Sequence, residues 1–203
     1  MSNTNPEKGD NLCEGDRDVH LNAYISHWNK DFHTYAKGYK DAADFLVQGI
    51  INEPRTFNFQ INELVFPVVF LYTHYLELRL KDIILLSNRL NKKSPRLPVS
   101  LQKGHEIDKL WSHAKPLIKA VSLEISRDGL EDVENGIREL VAVDPTGMAF
   151  RYPKDKKGNF HHPELAVIDL KHLRETMQKM DVLDGYSEYL EFLWQEDPWL
   201  TQI

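Results

Sequence analysis

The sequence predicts an all-α protein: an up-down bundle of about five helices, with one long loop that folds back as a small β-hairpin. Three observations carry that reading. Apolar residues recur at alternating steps of three and four over most of the chain, the period of one helix face. Polar, proline-containing breaks such as "NEPRTFNFQ" and "NKKSPRLPVS" separate those runs. Residues 144–168 follow no helical period, and strand-like alternation is almost absent elsewhere.

Taken in order, residues 1–18 are polar and aperiodic, and are expected to form a disordered leader ahead of a single domain over 19–203. Apolar positions 21, 25, 28, 32, 35, 39, 42/43, 46 and 50 then predict a long first helix with a coiled-coil-like repeat. The second helix begins between Asn62 and Pro67, where proline is best tolerated in the first turn, and runs to about Asn91. The third starts near Gly104, and Pro116 predicts a kink or break inside it. The fourth is capped by Asp128 with Glu131 three residues later, and Asp144-Pro145 stops it. In the long loop, two extended pieces flank a "KDKKG" turn. A final helix runs from Asp169 to about Glu196, with "LDGY" (183–186) as its expected division.

Composition narrows the function classes. With 203 residues, 41% hydrophobic and 28% charged, the chain reads as an ordinary globular protein long enough to bury a core. The single cysteine, Cys13, cannot form an internal disulfide, so a reducing cytoplasm is the expected setting. No apolar run approaches the roughly 20 residues of a membrane span, so no membrane association is expected. The start lacks the apolar centre of a signal peptide. A net charge of −6 argues against indiscriminate nucleic-acid binding. The charge is uneven, however: residues 79–109 hold eight Lys or Arg against three acids, and residues 181–197 hold six acids and no base. Such a band and tail fit an RNA contact, a contact between subunits, or simply solvated faces.

The stretch "FLYTHYLELRLKDIILL" (70–86) is apolar nearly all round, yet it carries His74, Glu77, Arg79 and Lys81. With His74 at zero on a helical wheel, Glu77 falls at about −60°, Lys81 at about −20° and Arg79 near about 140°. His74, Glu77 and Lys81 therefore share one stripe. They form either a polar cleft that meets a ligand or a wet edge with an ordinary i, i+4 ion pair. "KGHEIDKLW" (103–111) places His105 where a helix starts, beside free backbone N–H groups, with packing or capping as its other role. "FRYP" (150–153) sets Arg151 and Tyr152 ahead of Lys154, Lys156 and Lys157. That pattern suits a phosphate-and-base contact, or a loop tied to the core by its aromatics. The histidines lack the spacing of a zinc site, and no phosphate-loop, dinucleotide or nucleophile-elbow motif occurs, so no metal and no cofactor is expected.

Those three motifs, "FLYTHYLELRLK", "GHEIDKLW" and "FRYP", in that order over about residues 60–195, resemble the HEPN domain superfamily, and more narrowly its bacterial HEPN-like proteins. The resemblance implies an up-down helical bundle. It also implies kinship with metal-independent ribonucleases of toxin–antitoxin and phage-defence systems, and with non-catalytic members that bind RNA, nucleotides or a partner protein. The ribonucleases carry an Arg followed by a His after four to six residues, two such pairs meeting across a dimer. None of the nine arginines of this chain has a His at that spacing. The resemblance therefore implies a non-catalytic binding module for RNA, a nucleotide or a partner protein, with His74, Glu77, Lys81, His105, Arg151 and Tyr152 as its polar cleft. Its alternatives are a divergent metal-independent endoribonuclease and a homodimerising scaffold.

Overall fold

A computed structural model describes residues 20, 23–25, 31–57, 60–91, 96–102, 104–120, 127–161 and 167–196. The chain divides into two units, Met1–Asp31 and Phe32–Ile203. The leader expected over residues 1–18 lies outside the described residues.

Among the described residues the second unit is built from helices: α1 (Phe32–Asn52), α2 (Ile61–Leu90), the single turn α3 (Val99–Gln102), α4 (Ile107–Ala120), α5 (Arg127–Val143), α6 (Leu170–Lys179) and α7 (Val182–Glu196). The expected all-α bundle is observed, with the last of its five long segments divided into α6 and α7. The pillar of the bundle is α2. Its run from Tyr72 to Ser87 is apolar on almost every side, and α1, α4 and α7 pack around it. Burial of Tyr72, Leu76, Leu80 and Ile83, each about 2 kcal/mol on removal from water, is what centres it. Pro67 lies in the second turn of α2 and faces solvent. The backbone carbonyl it leaves without an N–H is that of exposed Glu63, which water can satisfy.

Several expectations are corrected. Residues 23–25 are not helical, and α1 begins only at Phe32; the remaining positions between 21 and 30 lie outside the described residues. The inward face of α1 carries the expected Ala43 and Ile50 together with Ala36 and Val47, whereas Tyr35 of the expected stripe is exposed. The small alanines let α1 lie close on α2. Pro116 does not break α4: it sits on the exposed side, and the helix continues to Ala120. The side chain of Asp128, the expected cap of α5, lies outside the described residues. The last segment divides at Met180–Asp181, ahead of "LDGY", whose Leu183 and Tyr186 are core residues inside α7. A cap at Asp169, accepting the N–H groups of Lys171 (2.9 Å) and His172 (3.0 Å), starts α6. In the long loop, the hairpin reduces to one antiparallel bridge, Lys154 with Phe160. No described helix is long and apolar enough to cross a membrane.

Candidate functional site

The helical geometry of α2 puts His74, Glu77 and Lys81 on one stripe, and tertiary packing closes that stripe over a carboxylate. Glu77 is only 3% exposed. Lys81 Nζ donates to its Oε1 at 2.8 Å along the helix. From the segment just ahead of α4, His105 Nδ1 reaches both carboxylate oxygens at 3.0 Å. From the loop after α5, Arg151 Nη2 comes within 3.7 Å of Oε2. His74 Nδ1 lies 3.4 Å from Oε2 and 3.4 Å from Arg151 Nη2. The ring of His74 stacks on Phe70 (5.6 Å between centroids) and meets the edge of Tyr39 from α1 (4.5 Å). The Arg151 guanidinium carbon stands 4.6 Å over the Phe70 ring, a cation–π contact.

Local chemistry explains how two loops arrive at one carboxylate. At the end of α5, buried Asp144 turns its carboxylate onto the chain that follows, and Oδ1 accepts the N–H of Met148 (3.0 Å) and Ala149 (3.1 Å). Asp opening a turn in this way is favoured because its short side chain mimics a backbone acceptor. Gly147 inside that turn has φ 69°, and a Cβ there would lie 2.9 Å from the His105 carbonyl oxygen. Both the positive φ and the close approach require glycine. The turn therefore braces the backbone of His105 while it delivers Phe150 to the core, 7% exposed and 6.1 Å from the Phe66 ring. Arg151 follows directly on that anchor.

The electrostatics follow from burial and from who donates. Burial pushes the Glu77 carboxyl up, but the hydrogen bonds from His74, Lys81 and His105 outweigh it and hold the group at about 2. Glu77 is thus a fixed anion. His105 Nδ1 must carry a proton to bond to it, so Nε2 is a lone pair in the neutral ring and a donor in the imidazolium. His74 Nδ1 faces both Glu77 and Arg151. In a neutral ring it donates to the first or accepts from the second, never both. Lys81 and Arg151 against Glu77 leave one positive charge in excess even with both histidines neutral. Arg151 is loosely held: its Nε is buried and makes no hydrogen bond, and its contacts to Glu77 and His74 are long. The arrangement sets two cations and two imidazoles around one buried carboxylate, which Lys81 pairs from beneath.

Five of the six residues singled out in the sequence meet at this hub. Tyr152 does not: it is 56% exposed and points no described contact at Glu77. His105 is 39% and Arg151 21% exposed at the side chain, so the hub opens to solvent on their side, while Lys81 forms its floor. Among the described residues, no group of three His, Cys, Asp or Glu is arranged to hold a metal ion. A cavity of about 170 Å³ lies elsewhere, between α2, α5 and α6, lined mainly by Val69, Leu140, Val143 and Leu173, with an exposed His172–Glu139 pair at 2.8 Å among its lining residues. Sequence reasoning missed Asp144 and Gly147, although the turn signature "DPTG" marks them.

It also missed a second network. Arg79, 2% exposed, sits on the opposite side of α2 and donates to Ser187 (3.0 Å), Asp82 (3.3 Å) and the His33 ring (3.1 Å). Its Nε lies 2.6 Å from Asp184 Oδ1, off the line of a hydrogen bond, and Tyr75 Oη donates to the same oxygen at 3.0 Å. That network ties α1 and α7 to α2. Arg79 and Ser187 are buried in the bundle, and the one guanidinium faces two carboxylates, of which Asp184 is 26% exposed at the side chain. That buried guanidinium joins three helices, whereas the Glu77 hub opens to solvent at His105 and Arg151.

A scan against family models and searches of curated proteins and of solved structures found no match to this chain.

Proposed function

We propose that this chain is a HEPN-like helical protein that binds the phosphate of an RNA or a nucleotide at the Glu77 hub, as a non-catalytic module of a bacterial toxin–antitoxin or phage-defence system. The observation that carries the reading is Arg151, 21% exposed at the side chain and only loosely held to Glu77 at 3.7 Å, beside His105 at 39%, over a carboxylate that Lys81 already pairs from beneath. A planar, partly exposed guanidinium suits a phosphate. The excess of one positive charge favours an anion, and the ordered motifs on α2, before α4 and after α5 support the family reading. Isothermal titration of the full chain with mononucleotides and short RNAs tests it. Arg151→Ala and His105→Ala are each expected to weaken binding at least tenfold, with the fold intact by circular dichroism. Equal affinity in wild type and both variants refutes the hub as the phosphate site.

One observation favours a second reading, the metal-independent ribonuclease. A carboxylate-held His105 with Nε2 open is a geometry in which imidazole serves as a general base. RNA cleavage that survives EDTA and disappears in His105→Ala would replace the first reading with this one.

A further inference from the structure

Beyond the hub, the loop that delivers Arg151 continues into a small structured arm. Residues 152–160 are all exposed, yet they are internally bonded. The Asp155 carboxylate accepts the N–H of Lys157 (2.8 Å) and of Asn159 (2.9 Å) on Oδ1, and the Asn159 side-chain amide (3.0 Å) on Oδ2. Gly158, at φ 88°, closes the turn by donating to the Asp155 carbonyl at 3.0 Å. Lys154 pairs with Phe160 across the arm, and His161 N–H donates to the Pro153 carbonyl at 3.1 Å. The one acid of the arm is therefore engaged in holding its shape.

What the arm displays is a different matter. Lys154, Lys156 and Lys157 stand against that single Asp in a chain of net charge −6. No carboxylate among the described residues lies within ion-pairing distance of Lys156 or Lys157. Two aromatic rings are turned to solvent, Tyr152 at 56% and Phe160 at 67% exposure. Lys154 Nζ stands 4.4 Å over the Phe160 ring, which leaves the other face of that ring open. Apolar rings are not left on a pre-shaped cationic turn by the needs of folding, since Ala149 and Phe150 already anchor this loop in the core. Lysines interleaved with exposed aromatics are the complement of an unpaired strand: phosphates meet the ammonium groups and bases stack on the rings. A duplex offers phosphates but no open base faces, and an acidic peptide offers charge but nothing to stack.

We infer that the 152–160 arm docks single-stranded nucleic acid, stacking bases on Tyr152 and Phe160 while Lys154, Lys156 and Lys157 hold the phosphates, and leads the strand toward Arg151. The inference rests on the hub reading for its ligand class. Fluorescence anisotropy of the full chain tests it, using a fluorescein-labelled 12-nucleotide mixed-sequence RNA, the matching single-stranded DNA and the matching RNA duplex. Wild type is expected to bind the single strand at least tenfold more tightly than the duplex, and the RNA–DNA comparison identifies the source. Lys156→Glu/Lys157→Glu is expected to weaken binding at least tenfold and to flatten its salt dependence. Tyr152→Ala/Phe160→Ala is expected to weaken it at least tenfold with the salt dependence retained. Both double variants change only exposed side chains, and AMP titration separates arm from hub. AMP affinity unchanged in the arm variants, with oligonucleotide affinity lost, supports the arm. Oligonucleotide binding that depends on the arm without any AMP binding supports the arm and removes the hub reading. No oligonucleotide binding, equal binding of strand and duplex, effects under twofold in both double variants, or equal binding of a poly-glutamate peptide overturns the arm.

Discussion

Replacing Glu77 with Gln keeps the shape of the side chain and removes its charge. Lys81, 5% exposed, then loses its anion at 2.8 Å, and His105 keeps at most one of its two acceptor contacts. Removing one partner of a buried pair costs about 3–5 kcal/mol. The carboxyl itself supplies a second route to the number: held at about 2 against an ordinary 4.5, it contributes about 3.5 kcal/mol at about 1.4 kcal/mol per tenfold change in proton affinity. The two routes agree at about 3–4 kcal/mol. Urea denaturation at pH 7 measures it, with the midpoint lowered and the slope unchanged. The sign of the pH dependence is fixed, because the folded pKa is depressed. The advantage of wild type over the variant is full above about pH 4.5 and is lost as pH falls toward about 2, since the unfolded chain takes up the proton first. Adding Lys81→Met to Glu77→Gln removes the stranded ammonium and is expected to recover part of the loss, a coupling that a double-mutant cycle reads directly. A loss under about 1 kcal/mol at pH 7, within the range of an ordinary surface pair, or a loss independent of pH between 3 and 6, refutes the buried-anion account of the hub.

Two further substitutions probe the structure around the hub. Arg79→Met strands Asp82 and Asp184 beside α2 and is expected to cost about 3–5 kcal/mol in urea denaturation, while leaving nucleotide binding at the hub unchanged apart from stability; a cost under about 1 kcal/mol contradicts the staple. Gly147→Ala combines a φ of 69° with a Cβ 2.9 Å from the His105 carbonyl oxygen. It is expected to cost about 1–2 kcal/mol and to move the His105 ring resonances in NMR spectra; unmoved resonances would show that the turn does not brace His105.

The pillar helix was readable because its run of apolar residues leaves no alternative to burial, and the wheel alone placed His74, Glu77 and Lys81 together. What faces them was not readable. Arg151 lies 77 residues from His74 along the chain, and its arrival depends on a turn held by Asp144, not on any period. The resemblance supplied the names of His105 and Arg151 as companions of the stripe, but not their contact with one carboxylate. Tyr152 was grouped with Arg151 by adjacency, yet neighbours in a turn point apart, and it faces solvent on the arm instead. In α1 the expected stripe is largely the packed one, with Ala43 and Ile50 buried and Phe32, Tyr39 and Leu46 against the core, but Tyr35 faces solvent while Ala36 and Val47 are buried, because close helix packing rewards small residues that a hydrophobicity count undervalues. Arg79 was assigned the correct side of α2, but its partner Ser187 lies 108 residues away, and a charge in a buried helix does not say which later helix will answer it.

Glu77 and Arg79 sit two residues apart on α2 and are locked to different neighbours on different sides of it. The helix is therefore keyed, like a shaft held by two pins at unlike angles. Inserting one residue after Leu78 would turn everything beyond it by about 100°, carrying Lys81 away from Glu77 and Arg79 away from Asp184 together. Length variation among natural relatives of this chain should accordingly be absent between His74 and Asp82.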